Sequence, residues 1–305
     1  MTALLGVEFR RLLARRIVRF TGALVLLGML IAGLVLFVRS HRVEPGAISA
    51  RAAELQAEHD RNVADCIQGT SPSDVPPGLT VEEFCKQIVF SPPLPNPEFH
   101  LTHYREVAEG LAGLFIALLI VLGATSAGAE WHAGTVTTQL TWDPRRARLF
   151  LAKVFAATVF AFLAFLVAEA LLFVCLAPAA VFRGTTSWVD AAWARGTAEV
   201  LLRAAAVGAM GAAIGHALAW LARNTAVAVG ASLGYAAVIE PLLRAVKPAW
   251  EPWFLVSNAV RFITAHPLDF TTKTRSTAGA AVLLLSYTAA AMLVSMVVFR
   301  RRDVT

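Results

Sequence analysis

Six runs of 19 or more mostly apolar residues punctuate the chain, at 20–38, 107–127, 149–177, 197–222, 225–243 and 277–299. A hydrocarbon core about 30 Å thick takes roughly 20 residues of helix to cross. Inside it each backbone N–H and C=O must be satisfied without water, which a helix does within its own segment. These runs therefore predict an all-α integral membrane protein with six transmembrane helices. Composition agrees: 57% of residues are hydrophobic and 16% charged, where roughly a quarter are charged in a soluble domain. Mean hydropathy is +0.63.

The net charge of +6 is not spread evenly. Arg10, Arg11, Arg15, Arg16 and Arg19 precede the first run, Arg145, Arg146, Arg148 and Lys153 border the third, and Arg300, Arg301 and Arg302 follow the last. Arginines gathered at span ends set orientation, with the basic side cytoplasmic. The expectation is a multi-pass plasma membrane protein with both termini in the cytoplasm, the second being the short tail 300–305. No zinc-finger spacing or other nucleic-acid motif appears. The first run is longer than the apolar part of a signal peptide and no small-residue cleavage site follows, so it reads as a retained span. Wound at 100° per residue, Leu5, Phe9, Leu12, Leu13 and Ile17 share one arc and Arg11, Arg15 and Arg19 another, with Arg16 intruding on the apolar arc. Residues 1–19 thus read as an amphipathic helix lying in the interface, or as a basic flank that sets topology alone.

On this topology 39–106 is an extracellular loop, polar and Pro-rich over 91–97. Partial apolar spacing at Ile48, Ala52, Leu55 and Val63 predicts a helix, and Thr80 with Glu83 marks the capping box of a second. Cys66 and Cys85 both fall in this loop. An exported segment is oxidising territory, so the pair predicts a disulfide. Cys175, inside the third span, reads as a small buried hydrophobe. The other outside pieces are 178–196 and 244–276; in the latter Trp250, Trp253 and Phe254 read as an interfacial aromatic belt. Arg223–Asn224 is a tight turn between spans four and five.

Between spans two and three lies GAEWHAGTVTTQLTWDPRRARLFLAK. Glu130–Trp142 can form a short helix, the following Asp-Pro breaks it, and the basic residues mark return to the bilayer. The spacing Gly128, Glu130, Gly134, Thr135, then Pro144, Arg145, Arg146 and Lys153, resembles the ABC-2 type permeases of ABC transporters, as do the basic N-terminal helix and the ending VVFRRRDV. Trp131, His132 and Trp142 depart from the pattern without an assigned role. The resemblance implies that 128–148 is a coupling element docking on a separate ATPase subunit, two copies of which serve a dimer of six-span units. It implies that Glu130 faces the ATPase or the N-terminal helix, that Trp131 and His132 belong to the same element, and that Gly134 and Thr135 let it pack closely. Arg145 and Arg146 would pair with acidic groups of the partner or with anionic lipid headgroups, or serve topology alone. The phosphate-wrapping G-x-x-x-x-G-K-[ST] loop does not occur in the chain, so ATP and Mg would belong to the partner and this chain would hold no catalytic residue, cofactor or metal of its own.

Ionisable residues within spans carry functional hypotheses. Glu169 and Arg203 lie at matching depth in spans three and four, which predicts a pair that fixes their packing or lines a substrate path. His216 reads as a packing histidine, and Glu240 and Arg244 as residues free to snorkel. Gly208, Gly211 and Gly215 thin one side of span four, and Gly230 and Gly234 form G-x-x-x-G in span five, both suited to helix contact. Other functions stay open. An enzyme has little to stand on: His100 and His103 lack a third ligand, and neither H-E-x-x-H nor G-x-S-x-G occurs. An ATPase-independent secondary transporter or channel would show repeats and broken helices. A membrane sensor or accessory subunit would use the cysteine loop as its head. Export rather than import follows only from the resemblance. Substrate and homo- or heterodimer are not specified, and amphipathic drug, lipid and peptide all suit an apolar path.

Overall fold

The computed structural model describes residues 2–42, 45–71, 75, 79–90, 98–142, 145–265 and 275–302. Pro144 and its neighbour Asp143, the Pro-rich 91–97, Pro267 within 266–274, the tail 303–305 and the side chains of Leu5 and Ile48 lie outside the described residues. Among the described residues the chain is helical, with no strand beyond an isolated bridge between His100 and Thr185. Six helices are long and apolar enough to cross a membrane: Arg16–Arg39, Leu101–His132, Arg146–Arg183, Ala191–Ala222, Thr225–Val246 and Thr277–Arg301. The protein is therefore a multi-pass helical membrane protein. Arg15, Glu130, Lys153, Arg146 and the carbonyls of Phe299 and Arg300 gather at one end of these helices, called here the terminal face.

The spans extend past the apolar runs at most ends, because helical hydrogen bonding continues into the polar flanks. α1 (Thr2–Ala14) ends before Arg15, and α2 (Arg16–Arg39) begins at once. Ile17 therefore belongs to the span, and the arc expected over 1–19 is interrupted. Within α1, Leu12 and Glu8 are buried, Phe9 meets Phe160 edge-on at 5.8 Å, and Leu13 is exposed.

Two compact units form. One comprises Gly33–Leu101 and Leu176–Ser187. It contains α3 (Pro45–Gly69) and α4 (Val81–Ile88), joined by the Cys66–Cys85 disulfide. The capping box is present: Glu83 N–H donates to Thr80 Oγ1 at 3.3 Å, and Thr80 N–H returns to Glu83 Oε2 at 3.0 Å. Donation from the Thr80 backbone, then from its hydroxyl, holds the Glu83 carboxyl below its ordinary value.

The other unit comprises Met1–Ala32, Thr102–Cys175 and Trp188–Thr305. Its centre is the contact between α5 (Tyr104–His132) and α8 (Ala191–Ala222). Glycine permits their approach. A Cβ on Gly123 would stand 2.0 Å from the Ala212 carbonyl oxygen, and one on Gly215 would stand 2.5 Å from that of Ile120. Gly208 and Gly211 face Leu119 and Ile120 on the same seam. α7 (Arg146–Arg183) runs through Pro178 without ending, so the third span does not stop at 177. Cys175 is half-buried with a free thiol.

The fifth span is α9 (Thr225–Gly234), a π-helical turn at Tyr235–Ile239 and α10 (Glu240–Val246). Asn224 caps α9 by accepting from Ala226 and Val227 N–H, which explains the tight turn at Arg223 in left-handed conformation. A Cβ on Gly230 or Gly234 would meet nothing within 4 Å among the described residues. A short 3-10 turn (Pro248–Trp253) leads to α11 (Leu255–Thr264), and α12 (Thr277–Arg301) closes the unit.

Two readings are corrected here. Glu240 does not snorkel. It is fully buried and accepts from Val256 N–H at 2.8 Å, Ser257 N–H at 2.8 Å, Ser257 Oγ at 3.2 Å and Arg244 at 3.2 Å. It supplies the acceptor that Phe254, at the N-cap of α11, cannot. Phe254 is itself buried, whereas Trp250 and Trp253 are exposed as expected of a belt.

Candidate functional site: a charged lock at the terminal face

Four helices converge where the expected coupling element begins, and the boundary of that element moves. α5 continues through Gly128, Glu130, Trp131 and His132, so these residues are the last turns of a span. Gly134, at φ 65°, turns the chain, and α6 (Thr135–Trp142) is the separate short helix. A Cβ at Gly134 would meet nothing within 4 Å. Its role is the left-handed turn that side chains resist, rather than close packing. The close approach belongs to Gly128, where a Cβ would stand 2.1 Å from Thr225 Oγ1.

Glu130 faces inward. It is 8% exposed, with Oε1 3.2 Å from Arg15 Nη2 and Oε2 2.7 Å from Lys153 Nζ. The latter is an ion pair without hydrogen-bond alignment, since Oε2 has no donor in line. Lys153, 3% exposed, also donates to Glu8 Oε1 at 3.1 Å, and Arg11 reaches the same oxygen at 3.1 Å. Arg15 additionally donates to the carbonyls of Thr125 at 2.7 Å and Ser126 at 3.0 Å. Two carboxylates and two buried or half-buried cations thus tie α1, the α1–α2 junction, α5 and α7. Charges this buried persist only when mutually paired. The space left among Glu8, Lys153, Ser126 and His216 is about 10 Å³, the scale of one water.

His216 lies directly against the lock and is fully satisfied. Trp220 Nε1–H donates to its Nε2 at 2.7 Å. Nδ1 therefore carries the hydrogen and donates to Ser126 Oγ at 2.6 Å, and that hydroxyl donates to the Gly123 carbonyl at 2.6 Å. This arrangement is that of a packing histidine.

α6 is anchored on one side only. Val136 is buried in a cluster with Phe150, Trp220 and Phe299, with Leu140 one turn on against it. Thr137, Thr138, Thr141 and Trp142 face outward, Trp142 at 87% exposure. Thr135 Oγ1 donates to the Glu130 carbonyl at 3.2 Å, which fastens the start of α6 to the end of α5. Trp131 meets Trp220 and Phe299 edge-on at 5.3 and 6.1 Å, with the Arg223 guanidinium 4.7 Å above its ring. His132 is exposed. Beyond α6, Arg146 donates to the carbonyls of Phe299, Arg300 and Arg302. A cation at carbonyls left open by a helix end is a favourable cap, so Arg146 closes the C-terminus of α12. Arg145, just before α7, also has a partner.

The Glu169–Arg203 pair does not form. Arg203 pairs one turn away on its own helix with Glu199 at 3.0 Å. Glu169, 1% exposed, accepts from Tyr104 Oη at 3.3 Å, and its Oε1 has no hydrogen-bond partner among the described residues. Matching depth did not fix rotation, and the helices turn the two charges to different neighbours.

Sequence reading missed Glu8, Arg15, Ser126, Tyr104 and Trp220 as members of these networks. One signal was present: Glu8 is the only acid among the first 19 residues, surrounded by five arginines. Among the described residues no group of three or more His, Cys, Asp or Glu is arranged to hold a metal. Compared with models of known protein families the chain matches none, and a search among curated proteins also finds no match.

Proposed function

We propose that the chain is the permease subunit of an ABC-2 type ABC transporter, a plasma membrane exporter that works as a dimer above two separate ATPase subunits. ATP and Mg are bound by those subunits, and this chain carries the substrate path by alternating access. The observation that carries the reading is the way α6 is rooted. Its outward face of threonines and Trp142 is open to a partner on the terminal face, while its first residue, Thr135, is fastened to Glu130 at the end of α5, which is ionically locked to Arg15 and Lys153. A force on α6 is therefore delivered to α5, α7 and the N-terminal helix together, which is what coupling ATP hydrolysis to span movement requires. The terminal face is then cytoplasmic, and the loop with the Cys66–Cys85 disulfide is extracellular.

The test is affinity purification of C-terminally tagged protein from native membranes, beside Glu130→Lys and Trp142→Glu. An ABC ATPase accompanies the wild type and is depleted with both variants. Trp142 is 87% exposed, and equal amounts of the variant and the wild type in the membrane separate loss of the ATPase from a folding defect. No ATPase with the wild type, under conditions that keep other membrane complexes whole, overturns the reading and leaves a stand-alone transporter or sensor.

A further inference from the structure

Beside α11 the larger unit has a partly open cavity of about 540 Å³ that the lock does not involve. Its walls come from α5, α8, the fifth span, α11 and α12, with Ile116, Met210, Val260, Ile263 and Leu284 typical of the lining. The size falls within the roughly 300–1,000 Å³ of small-molecule sites. Along α5 the lining runs from Glu109 to Ile120, about 16 Å at 1.5 Å per residue. That is roughly half a 30 Å hydrocarbon core.

Five of the polar side chains of the wall are satisfied within the protein. Ser232, Thr264 and Thr288 hydroxyls each donate to a backbone carbonyl of their own helix, at 2.8, 3.0 and 2.8 Å. Tyr287 Oη donates to the Trp253 carbonyl at 3.0 Å, and Glu109 is paired with Arg105 at 2.8 Å. What remains is an apolar, elongated space inside the membrane-spanning helices. The space is partly open, and the medium around these helices is lipid.

We propose that this cavity binds the hydrocarbon chain of a membrane amphiphile. One chain lies along α5 and α8 and is roofed by α11. Glu240 is the latch of that roof, because the N–H groups it accepts belong to Val256 and Ser257 and Val256 itself lines the space. The chain can come from a bilayer phospholipid or from a free fatty acid, and both present the same methylene surface. The site does not depend on the ATPase assignment.

The experiment places the wild-type protein in nanodiscs with a C16 chain bearing a mid-chain diazirine, supplied once as phosphatidylcholine and once as the free acid. Photolabelled residues are mapped by peptide mass spectrometry. Label on Met210, Val260 or Leu284 is expected. It disappears in Ala117→Trp and Ala259→Trp, which fill the space, and persists in Leu285→Trp on the outer surface. The arm that labels identifies the source of the chain. Label confined to outward residues such as Leu114 and Leu293, or unchanged by both filling variants, overturns the proposal. If the filling variants do not fold, the wild-type map alone decides by the same criterion.

Discussion

Lys153→Met tests the lock most directly. The substitution keeps the length and apolar stem of the side chain and removes only the charge. In the wild type the ammonium lies 2.7 Å from Glu130 Oε2 and 3.1 Å from Glu8 Oε1, with its side chain 2% exposed. Without it two buried carboxylates are left with Arg15, whose side chain is 20% exposed, and Arg11, at 49%. Removing one partner of a buried ion pair costs about 3–5 kcal/mol. At roughly 2–4 °C per kcal/mol this is a fall in melting temperature of about 6–20 °C. The assay is tryptophan fluorescence during heating in nanodiscs at one fixed scan rate, because membrane proteins often unfold irreversibly. Trp220 reports locally, being bonded to His216 beside the lock. Arg203→Met is the control; it breaks a pair whose side chains are 30% and 64% exposed, worth about 0–1 kcal/mol. Glu130→Gln added to Lys153→Met should recover part of the loss, with a coupling of about 0.5–3 kcal/mol. If Lys153→Met melts like Arg203→Met, or the double variant falls by the full sum of the singles, the charges do not act as one network.

Other consequences follow from single contacts. Gly123→Leu should drive α5 from α8, at a cost of about 1–3 kcal/mol or more, seen as a lower melting temperature; Ala at Gly113, where a Cβ meets nothing within 4 Å, should not lower it. Glu240→Ala strips the acceptor from two backbone N–H groups, and at about 1.5–3 kcal/mol for each hydrogen bond to a charged group should raise hydrogen exchange across α11 before any other helix. Serine at Cys66 and Cys85 opens a 19-residue separation, worth about 3 kcal/mol by loop entropy; it should speed proteolysis of α3 and α4 while the spans melt as before. The Glu83 carboxyl is held below its ordinary value in the fold, so its capping contribution is complete above the unfolded pKa. It should fade as pH falls through the lowered one, read as faster exchange of α4 amides in acid and abolished by Glu83→Gln. A flat acid profile in the wild type would refute that role.

Local chemistry was legible where neighbours in sequence are also neighbours in space. The six spans, the Thr80–Glu83 box, the Asn224 turn and the disulfide each depend on length, on a three-residue offset, or on two cysteines sharing one segment. The lock was half legible. Glu130 stood out as an acid at the end of an apolar run and Lys153 as a cation just inside another, but their third and fourth partners lie in α1 and at the α1–α2 junction, more than 100 residues away in the chain. Glu169 and Arg203 show the limit from the other side. Depth along a span is set by residue count, yet a helix repeats every 3.6 residues, so the direction of a side chain depends on how each cylinder is turned. Glu240 was misread for the same reason: nothing adjacent to it announces a helix end 16 residues later that lacks its own cap.

The sequence by itself determined six helices long and apolar enough to cross a bilayer, because lipid offers the backbone no partner outside its own helix. Only the tertiary structure decided which faces of those helices meet. The glycine seam of α5 and α8, the inward turn of Glu130 and the burial of Glu240 are set by packing between residues far apart in the chain, and spacing along a single helix carries no record of its rotation against the next.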